Sequence, residues 1–424
     1  MKSENVFDSY LAKHAFIKAG QLEMPDFCPE IIVVIPCYNE ENIISALHSL
    51  KESFRFAPVP VQVIVVINSS VNSPPTVKYQ NLITVSEIED FKLKMNEENF
   101  FKTGLIHVYD MPEKDAGVGL ARKIGMDEAV RIFHHFEKDG LIACFDADCL
   151  CMSDYFTHIL QAFRKSKAWD AATIHFEHPL IGYREEVLKA IVEYELHLRV
   201  FVGFQKWAGL PYAFQTIGSS MVVRAVSYCK YGGMNKRKAG EDFYFLHKIG
   251  DKGKVGCIHS TTVFPSPRIS SRVPFGTGKA VGDNINNQKT IKTYNPHSFV
   301  VLKTFLQQLH DIYSHGWTQN LAGGGSDVYD FLNLYDAEKH VRDGRLHTRD
   351  FHGFVKRFYQ WFNAFKLMKY CHYCRDRAGY ADTEPLVAFQ HLMKLNGNTS
   401  TAYLAANAEE ALQIMRKADK NILL

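Results

Sequence analysis

Ile31-Ile32-Val33-Val34-Ile35 is a continuous run of β-branched residues that ends at Pro36. Such a run is typical of a strand that is buried on both faces of a parallel sheet. Residues 43–50 follow with apolar side chains at helical spacing, and Asn39 is a candidate cap for that helix. Residues 61–67 then repeat the strand signal. This alternation predicts an α/β fold in which helices flank a largely parallel sheet.

The alternation continues through the first half of the chain. Residues 71–104 are polar, and we predict an irregular surface excursion there. A third strand is predicted at 105–109, a helix at 117–136 and a fourth strand at 141–144. Ligands of such sheets bind at the carboxyl ends of the strands, so the polar residues that follow these strands are candidates for a site.

The second half of the chain has a different character. Residues 185–204 predict a long helix, and strand patterns fade after residue 266. Helical patterns dominate from there, at 298–312 and 351–368, with a glycine-rich segment at 322–326 between them. We therefore predict three regions: a lead-in over 1–29, an α/β domain over 30–265, and a basic loop with a mainly helical region over 266–424.

The composition is that of an ordinary globular protein, with 46% hydrophobic and 22% charged residues. The net charge of +3 is small and the sequence has no basic tract, which argues against a nucleic-acid partner. We recognise neither a secretory signal nor an apolar run of about 18 residues, so we expect a cytoplasmic protein without a transmembrane segment. The nine cysteines lack a disulfide spacing, and Cys371 and Cys374 are expected to be buried thiols rather than zinc ligands.

An acidic pair follows the fourth predicted strand in the segment Phe145-Asp146-Ala147-Asp148. Residues two apart on a strand point the same way, so both carboxylates can converge on one ligand. Oxygen ligands suit a hard cation such as Mg²⁺ or Mn²⁺, which commonly bridges to phosphates. The alternative is a solvated turn.

A second acidic pair, Glu241-Asp242, stands between Gly240 and an apolar helical run. Acidic residues at this position often only complement the dipole of the helix. They are also the residue type that general base catalysis needs. Upstream, Gly218-Ser219-Ser220 predicts a turn of small residues that could admit a sugar close to the backbone, although most such turns are only turns.

These motifs, in this order, resemble the family 2 glycosyltransferases, which have the GT-A fold. The segments that carry the resemblance are 35–41, 116–123, 146–148 and 240–242, and they span roughly residues 30–265. Each motif alone is common, whereas the four in the order of the family are specific. The resemblance implies an enzyme that takes a sugar from a nucleotide-diphosphate donor.

The resemblance also implies where the nucleotide lies. The first loop of the family, which holds the base and the ribose, corresponds to Pro36, Tyr38, Asn39 and Glu40. Arg122 corresponds to a basic residue near the donor.

The same resemblance assigns the residues around the reacting bond. Asp146 and Asp148 correspond to the pair that binds the ribose and a divalent cation, Mn²⁺ or Mg²⁺, on the diphosphate. Asp242 corresponds to the catalytic base of inverting members, and its neighbour Glu241 is the second candidate for that role. His259 is the best candidate for a further metal ligand, although a lone histidine at a strand end is more often structural.

One segment departs from the family pattern. An aspartate-rich turn often follows the second strand, whereas this chain has Asn68-Ser69-Ser70. The amide of Asn68 can hydrogen-bond the edge of uracil or guanine but carries no charge, so the identity of the base stays open.

Two further segments have alternative interpretations. The segment 265–279 carries Arg268 and Arg272, which either contact the diphosphate or form a solvated connector. Residues 351–365 place aromatic side chains at helical spacing, which favours core packing over contact with a membrane surface.

The sequence therefore predicts a metal-dependent transfer of a sugar to an acceptor hydroxyl with inversion, in polysaccharide or glycoconjugate biosynthesis. The acceptor could be a saccharide, a lipid-linked molecule or a small molecule, with peripheral contact to the inner membrane face possible for a lipid-linked one. A retaining GT-A transferase, a nucleotidyltransferase and a non-catalytic nucleotide-sugar-binding protein are the alternatives. A dinucleotide oxidoreductase is disfavoured because no G-x-G-x-x-G follows the first strand.

Overall fold

The computed structural model describes residues 5–95, 99–270, 272, 276–317, 326–397 and 405–421. The chain divides into two compact units. The first comprises Met1–Tyr183 and Thr216–Gly282, and the second comprises Arg184–Gln215 and Asp283–Leu424. The glycine-rich residues 322–325, together with 271 and 273–275 of the basic segment, lie outside the described residues.

An eight-stranded sheet organises the first unit. Its strands are β1 (Ile31–Cys37), β2 (Val61–Ser70), β3 (Phe101–Met111), β4 (Leu141–Cys144), β5 (Leu150–Cys151), β6 (Ala171–Phe176), β7 (Met221–Arg224) and β8 (Val255–Phe264). Their order in the sheet is β3-β2-β1-β4-β7-β6-β8-β5. The pairs β4·β7, β6·β7 and β5·β8 are antiparallel and the remaining pairs are parallel. The predicted mostly parallel sheet is therefore confirmed.

The first predicted strand lies at the centre of the sheet. Residues 31–35 are completely buried, as expected for a β-branched run covered on both faces. Ile31 is in register with Val61 of β2 and with Leu141 of β4. Because these strands are parallel, their carboxyl ends meet at one edge, where the motifs at 36–40, 68–70 and 146–148 lie. This arrangement confirms the predicted largely parallel α/β sheet with its polar motifs at one edge.

Helices cover both faces of this sheet, as predicted for an α/β fold. The helices that lie wholly in the first unit are α1 (Val6–Lys13), α2 (Ile43–Phe56), α3 (Pro75–Met95), α4 (Val118–His135), α5 (Tyr155–Lys165), α7 (Ala225–Lys230) and α8 (Glu241–Gly250). The remaining helices of the described residues are α6 (Glu185–Ala208), α9 (Thr277–Asn287), α10 (Pro296–Gln307), α11 (Leu309–His315), α12 (Ser326–Asn333), α13 (Ala337–Leu346), α14 (Phe351–Trp361), α15 (Ala364–Asp376), α16 (Pro385–Leu395) and α17 (Ala408–Asn421).

The prediction of an irregular excursion over 71–104 was wrong, because α3 occupies most of that segment. Its buried positions recur at spacings of four and three, which is a regular helical stripe. Two of the five are polar, and this hides the stripe from a hydrophobicity pattern. The five residues are Val77, Asn81, Thr84, Ile88 and Phe91.

Three further boundaries also differ from the predictions. Asn39 does not cap α2, which begins at Ile43; its φ of 50° places it in the left-handed region instead. The second strand continues through Ser70 because Asn68 and Ser70 still pair with β3. The third strand is longer than predicted and begins at Phe101.

The second unit is helical, as predicted for the C-terminal region. Helix α6 ends at Ala208, and Gly209 follows it with a φ of 78°, the left-handed conformation that favours glycine as a helix stop. The patterns at 298–312 and 351–368 each form two helices rather than one. Within the described residues, no helix combines the length and the apolar character that a membrane crossing requires.

The aromatic stripe at 351–365 contributes to the core of this unit, as favoured from the sequence. Phe354, Phe358 and Phe362 are buried. All nine cysteines are free thiols, and Cys371 and Cys374 are buried in α15.

Helix α4 lies unusually close to the sheet at Gly125. A Cβ atom added there would lie 2.5 Å from Cγ1 of Val34 and 3.0 Å from Cγ2 of Val66. Both valines belong to buried strands, so they have little room to move.

We expect Gly125→Ala to lower the free energy of unfolding by about 1–3 kcal/mol, because the added methyl group forces the helix away from the sheet. Denaturant unfolding measures this change. Gly20→Ala is the control, since an added Cβ there meets no atom closer than 3.7 Å. An unchanged midpoint in Gly125→Ala would contradict the close packing.

Candidate functional site

A buried arginine connects the two acidic pairs. Arg122 lies in the second turn of α4 with only 3% of its side chain exposed, and its guanidinium donates hydrogen bonds to Asp146 and Glu241. The exit of β4 and the first turn of α8 are thereby held at one point. Gly218 contributes to this arrangement, because an added Cβ would lie 2.5 Å from Nη2 of Arg122. The turn of small residues at 218–220 therefore makes room for the guanidinium.

The acidic pair after β4 forms a compact group of potential metal ligands. Ligand atoms of Asp146, Asp148 and Cys149 lie within 4.8 Å of one another. The two half-buried carboxylates suit a hard cation. Burial raises the pKa of the Cys149 thiol well above its usual range, so this residue remains a neutral thiol beside the carboxylates.

His259 does not belong to the ligand group found among the described residues. It lies inside β8, where the pairing with β6 becomes irregular between Ile258 and Thr262. Its assignment as a metal ligand stays a prediction.

The loop after β1 carries a buried carboxylate that two arginines neutralise. Glu40 is 1% exposed, and Arg268 binds both of its oxygens, with Nη1 2.9 Å from Oε1. Nη1 of Arg272 lies 3.3 Å from Oε2 of Glu40 and donates to the Tyr38 carbonyl at 2.8 Å. Burial alone would raise the pKa of Glu40, but the two arginines outweigh it and hold this pKa below its usual range.

The same arginine also reaches the metal-ligand group. Nε of Arg268 lies 2.8 Å from Oδ2 of Asp148. Burial raises the pKa of Asp148, and Arg268 opposes that shift. The sequence analysis singled out Arg268 and Arg272 as candidate phosphate contacts. In the structure both form ion pairs with carboxylates of the site.

Two residues that the sequence analysis missed fix the loop after β1. Oδ1 of Asn81 accepts the backbone N–H of Asn39 at 2.9 Å, and Oγ1 of Thr84 donates to the carbonyl of Glu40 at 2.7 Å. The signal that could have found them is the helical spacing of Asn81 and Thr84 with the apolar residues Val77, Ile88 and Phe91. Pro36 is the penultimate residue of β1 and leads directly into this loop.

The end of β2 is also occupied by contacts within the protein. Asn68 is buried, and its side-chain amide donates to the carbonyl of Gly117 at 3.1 Å. Oγ of Ser70 donates to Glu113 at 2.7 Å, and Lys238 lies 3.2 Å from the same carboxylate. A carboxylate is thus present at this edge of the sheet, although it comes from the segment after β3.

The second acidic pair opens helix α8. Gly240 precedes it with a φ of 68°, and Glu241 is buried against Arg122. Asp242 is half-buried, and its Oδ1 accepts the N–H of Phe243 at 2.7 Å. Burial and the neighbouring Glu241 raise the pKa of Asp242 to about 7, with Arg122 opposing the shift. A carboxyl group with such a pKa can accept a proton near neutral pH.

Comparison with known proteins identifies part of the chain. Residues 32–188 match the sequence profile described as Glycosyl transferase family 2. No curated protein sequence matches the chain.

Two solved structures illustrate the structural similarity. The crystal structure of S. aureus TarS 1-349 shares 10% identity with a TM-score of 0.37, covering 92% of this chain and 91% of that one. The mannosyltransferase PcManGT from Pyrobaculum calidifontis, in complex with GDP-Man and Mn²⁺, shares 12% identity with a TM-score of 0.34, covering 98% and 92%.

The sequence profile covers Glu40, Asp146 and Asp148, which follow strands β1 and β4, and Arg122, which lies in α4. Nucleotide sugars are the donors of this family. Residues 32–188 therefore form a family 2 glycosyltransferase domain, and the chain that carries it is a glycosyltransferase.

Proposed function

We propose that this enzyme transfers a sugar from a nucleotide-diphosphate donor to an acceptor hydroxyl with inversion at the anomeric carbon. The observation that supports the proposal is that Arg122 binds both Asp146 and Glu241, which brings the acidic pair after β4 close to the acidic pair Glu241-Asp242. A saccharide, a lipid-linked molecule or a small molecule can serve as the acceptor.

The charge of the site supports a requirement for Mn²⁺ or Mg²⁺. Five carboxylates face three guanidiniums, which leaves a formal charge of −2 when every carboxylate is ionised. A divalent cation held by Asp146 and Asp148 would offset this charge and the charge that develops on the leaving diphosphate. The groups are Glu40, Asp146, Asp148, Glu241 and Asp242, with Arg122, Arg268 and Arg272.

Asp242 is proposed as the general base. Its Oδ1 is held by the N–H of Phe243, which fixes the direction of the carboxylate. As the acceptor oxygen bonds to the anomeric carbon, the hydroxyl proton passes to this carboxylate. The bond from that carbon to the diphosphate breaks, and the nucleoside diphosphate leaves with the electron pair.

The nucleotide is proposed to lie across the carboxyl ends of β1 and β2. Tyr38, Asn39 and Glu40 occupy the loop at that edge, and Asn68 lies in the adjacent strand. Arg268 and Arg272 extend into the same region and offer bidentate contacts to phosphate.

We expect Asp148→Ala to abolish metal-dependent donor binding, because this substitution removes one of the two carboxylates of the cation site. Calorimetry with nucleotide sugars and Mn²⁺ measures the effect, after a thermal-shift screen has identified a donor. Asp110→Ala is the control, since its carboxylate lies on the surface in an ion pair with Lys78. Unchanged donor affinity in Asp148→Ala would remove the metal-site proposal.

We expect Asp242→Asn to lower turnover by about 10² or more while donor affinity stays close to that of the wild type. The amide is nearly isosteric with the carboxylate and can still accept the N–H of Phe243, but it cannot take a proton. Steady-state kinetics and calorimetry on the same protein separate the two effects.

Asp251→Asn is the matched control for this substitution, because Asp251 follows the opposite end of the same helix. Turnover near the wild-type value in Asp242→Asn would exclude Asp242 as the base and leave a retaining transferase or Glu241 as the base. NMR of the anomeric configuration distinguishes inversion from retention, and release of pyrophosphate would indicate a nucleotidyltransferase.

The raised pKa of Asp242 also predicts a pH dependence. Only the ionised carboxylate accepts a proton, so turnover should increase with pH through about 7. The folded protein holds the proton of Asp242 more tightly than the unfolded chain does, so this residue lowers stability as pH rises from about 4 to about 7. Melting temperatures of the wild type should fall relative to those of Asp242→Asn over that range, and parallel curves would contradict the shift.

A further inference from the structure

One guanidinium bridges two carboxylates that belong to different parts of the site. Arg268 binds both oxygens of Glu40 and also lies 2.8 Å from Oδ2 of Asp148. Asp148 is one of the two carboxylates proposed to hold the divalent cation. Arg268 therefore supplies positive charge at a carboxylate that the cation requires.

The two partners of Arg268 depend on it to different degrees. Glu40 is buried, but Arg272 also binds it and would keep it neutralised without Arg268. No other ion pair to Asp148 is found in the described part of the chain. Arg268 itself is 31% exposed, so it can leave these partners without crossing a packed core.

A guanidinium and a divalent cation repel each other when both lie beside one carboxylate. A nucleoside diphosphate changes this balance because its phosphates offer Arg268 a new bidentate partner. The divalent cation then replaces the positive charge that Arg268 withdraws from Asp148. The guanidinium of Arg268 pairs instead with the negative charge of the diphosphate. The exchange leaves neither Glu40 nor Asp148 without a positive partner.

We propose that Arg268 is an internal counter-ion of Asp148 that competes with the divalent cation until a nucleoside diphosphate draws it away. This inference rests on the proposed cation site at Asp146 and Asp148. It makes cation and nucleotide bind cooperatively, because each favours the release of Arg268 from Asp148.

Mn²⁺ binding without nucleotide tests the proposal, with free Mn²⁺ followed by electron paramagnetic resonance. We expect Arg268→Gln to bind Mn²⁺ about 10-fold more tightly than the wild type, within the usual range of such couplings. UDP and GDP, tested separately, should strengthen Mn²⁺ binding in the wild type and do so less in Arg268→Gln. Arg268→Lys keeps the charge and should keep Mn²⁺ affinity within about threefold of the wild type.

Two arginine controls separate the specific contact from a general loss of charge. Arg272→Gln removes a positive charge from the same loop and from Glu40, but Arg272 makes no ion pair with Asp148 within the described structure, so its Mn²⁺ affinity should change little. Arg164→Gln removes an exposed arginine paired with Glu30 and should have no effect. An equal gain in Arg272→Gln and Arg268→Gln would overturn the proposal.

Asp148→Ala distinguishes failure of this proposal from failure of the proposed function. If Asp148→Ala loses Mn²⁺ binding while Arg268→Gln binds as the wild type does, the cation site stands and competition by Arg268 is wrong. If Asp148→Ala binds Mn²⁺ as the wild type does, the cation site itself is wrong and the proposal falls with it. Absence of Mn²⁺ binding in both the wild type and Arg268→Gln would also overturn it, since removal of the arginine would then not open the site.

Discussion

The site depends on the buried guanidinium of Arg122. A charge with 3% exposure is tolerated only because Asp146 and Glu241 both accept from it. These partners come from the exit of a strand and the start of a helix that lie about a hundred residues apart in the chain, so the ion pairs fix two distant segments against each other. Loss of the arginine would leave Glu241 buried without its partner, which typically costs about 3–5 kcal/mol. One side chain, Arg122, therefore both holds these two segments of the fold together and positions the acidic residues of the site.

Arg122 and Arg268 show how similar ion pairs can have different roles. Arg122 is enclosed, and Gly218 leaves it only the space that the guanidinium fills. Arg268 is partly exposed and shares Glu40 with a second arginine, so its departure leaves the buried Glu40 paired with Arg272. A buried pair without an alternative partner is suited to holding a structure in place, whereas an exposed pair with a substitute can exchange partners with a ligand.

The sheet could be predicted from the sequence, and so could the proximity of the acidic motifs, because a parallel sheet places the carboxyl ends of its strands at one edge. Helix α3 could not be predicted from its hydrophobic pattern, because two of its five buried positions carry polar residues. The side chains of these two residues bind the backbone of Asn39 and Glu40. Contacts between Glu40 and Arg268 join residues 228 positions apart, and no local pattern encodes them. The single helices predicted over 298–312 and 351–368 are interrupted near Gln308 and Phe362, where the apolar spacing continues across the break.

The end of β2 shows why a departure from a family pattern is informative. Asn68 stands where an acidic residue is common, and its amide is bound to the carbonyl of Gly117, immediately before α4. An ionised carboxylate could not donate this hydrogen bond. Asn68 therefore supports the turn that leads to Arg122. The carboxylate at this edge is instead Glu113, which Ser70 and Lys238 bind and which remains exposed. With an amide rather than a carboxylate at position 68, the end of β2 carries no charge there and instead contacts the residue that precedes α4.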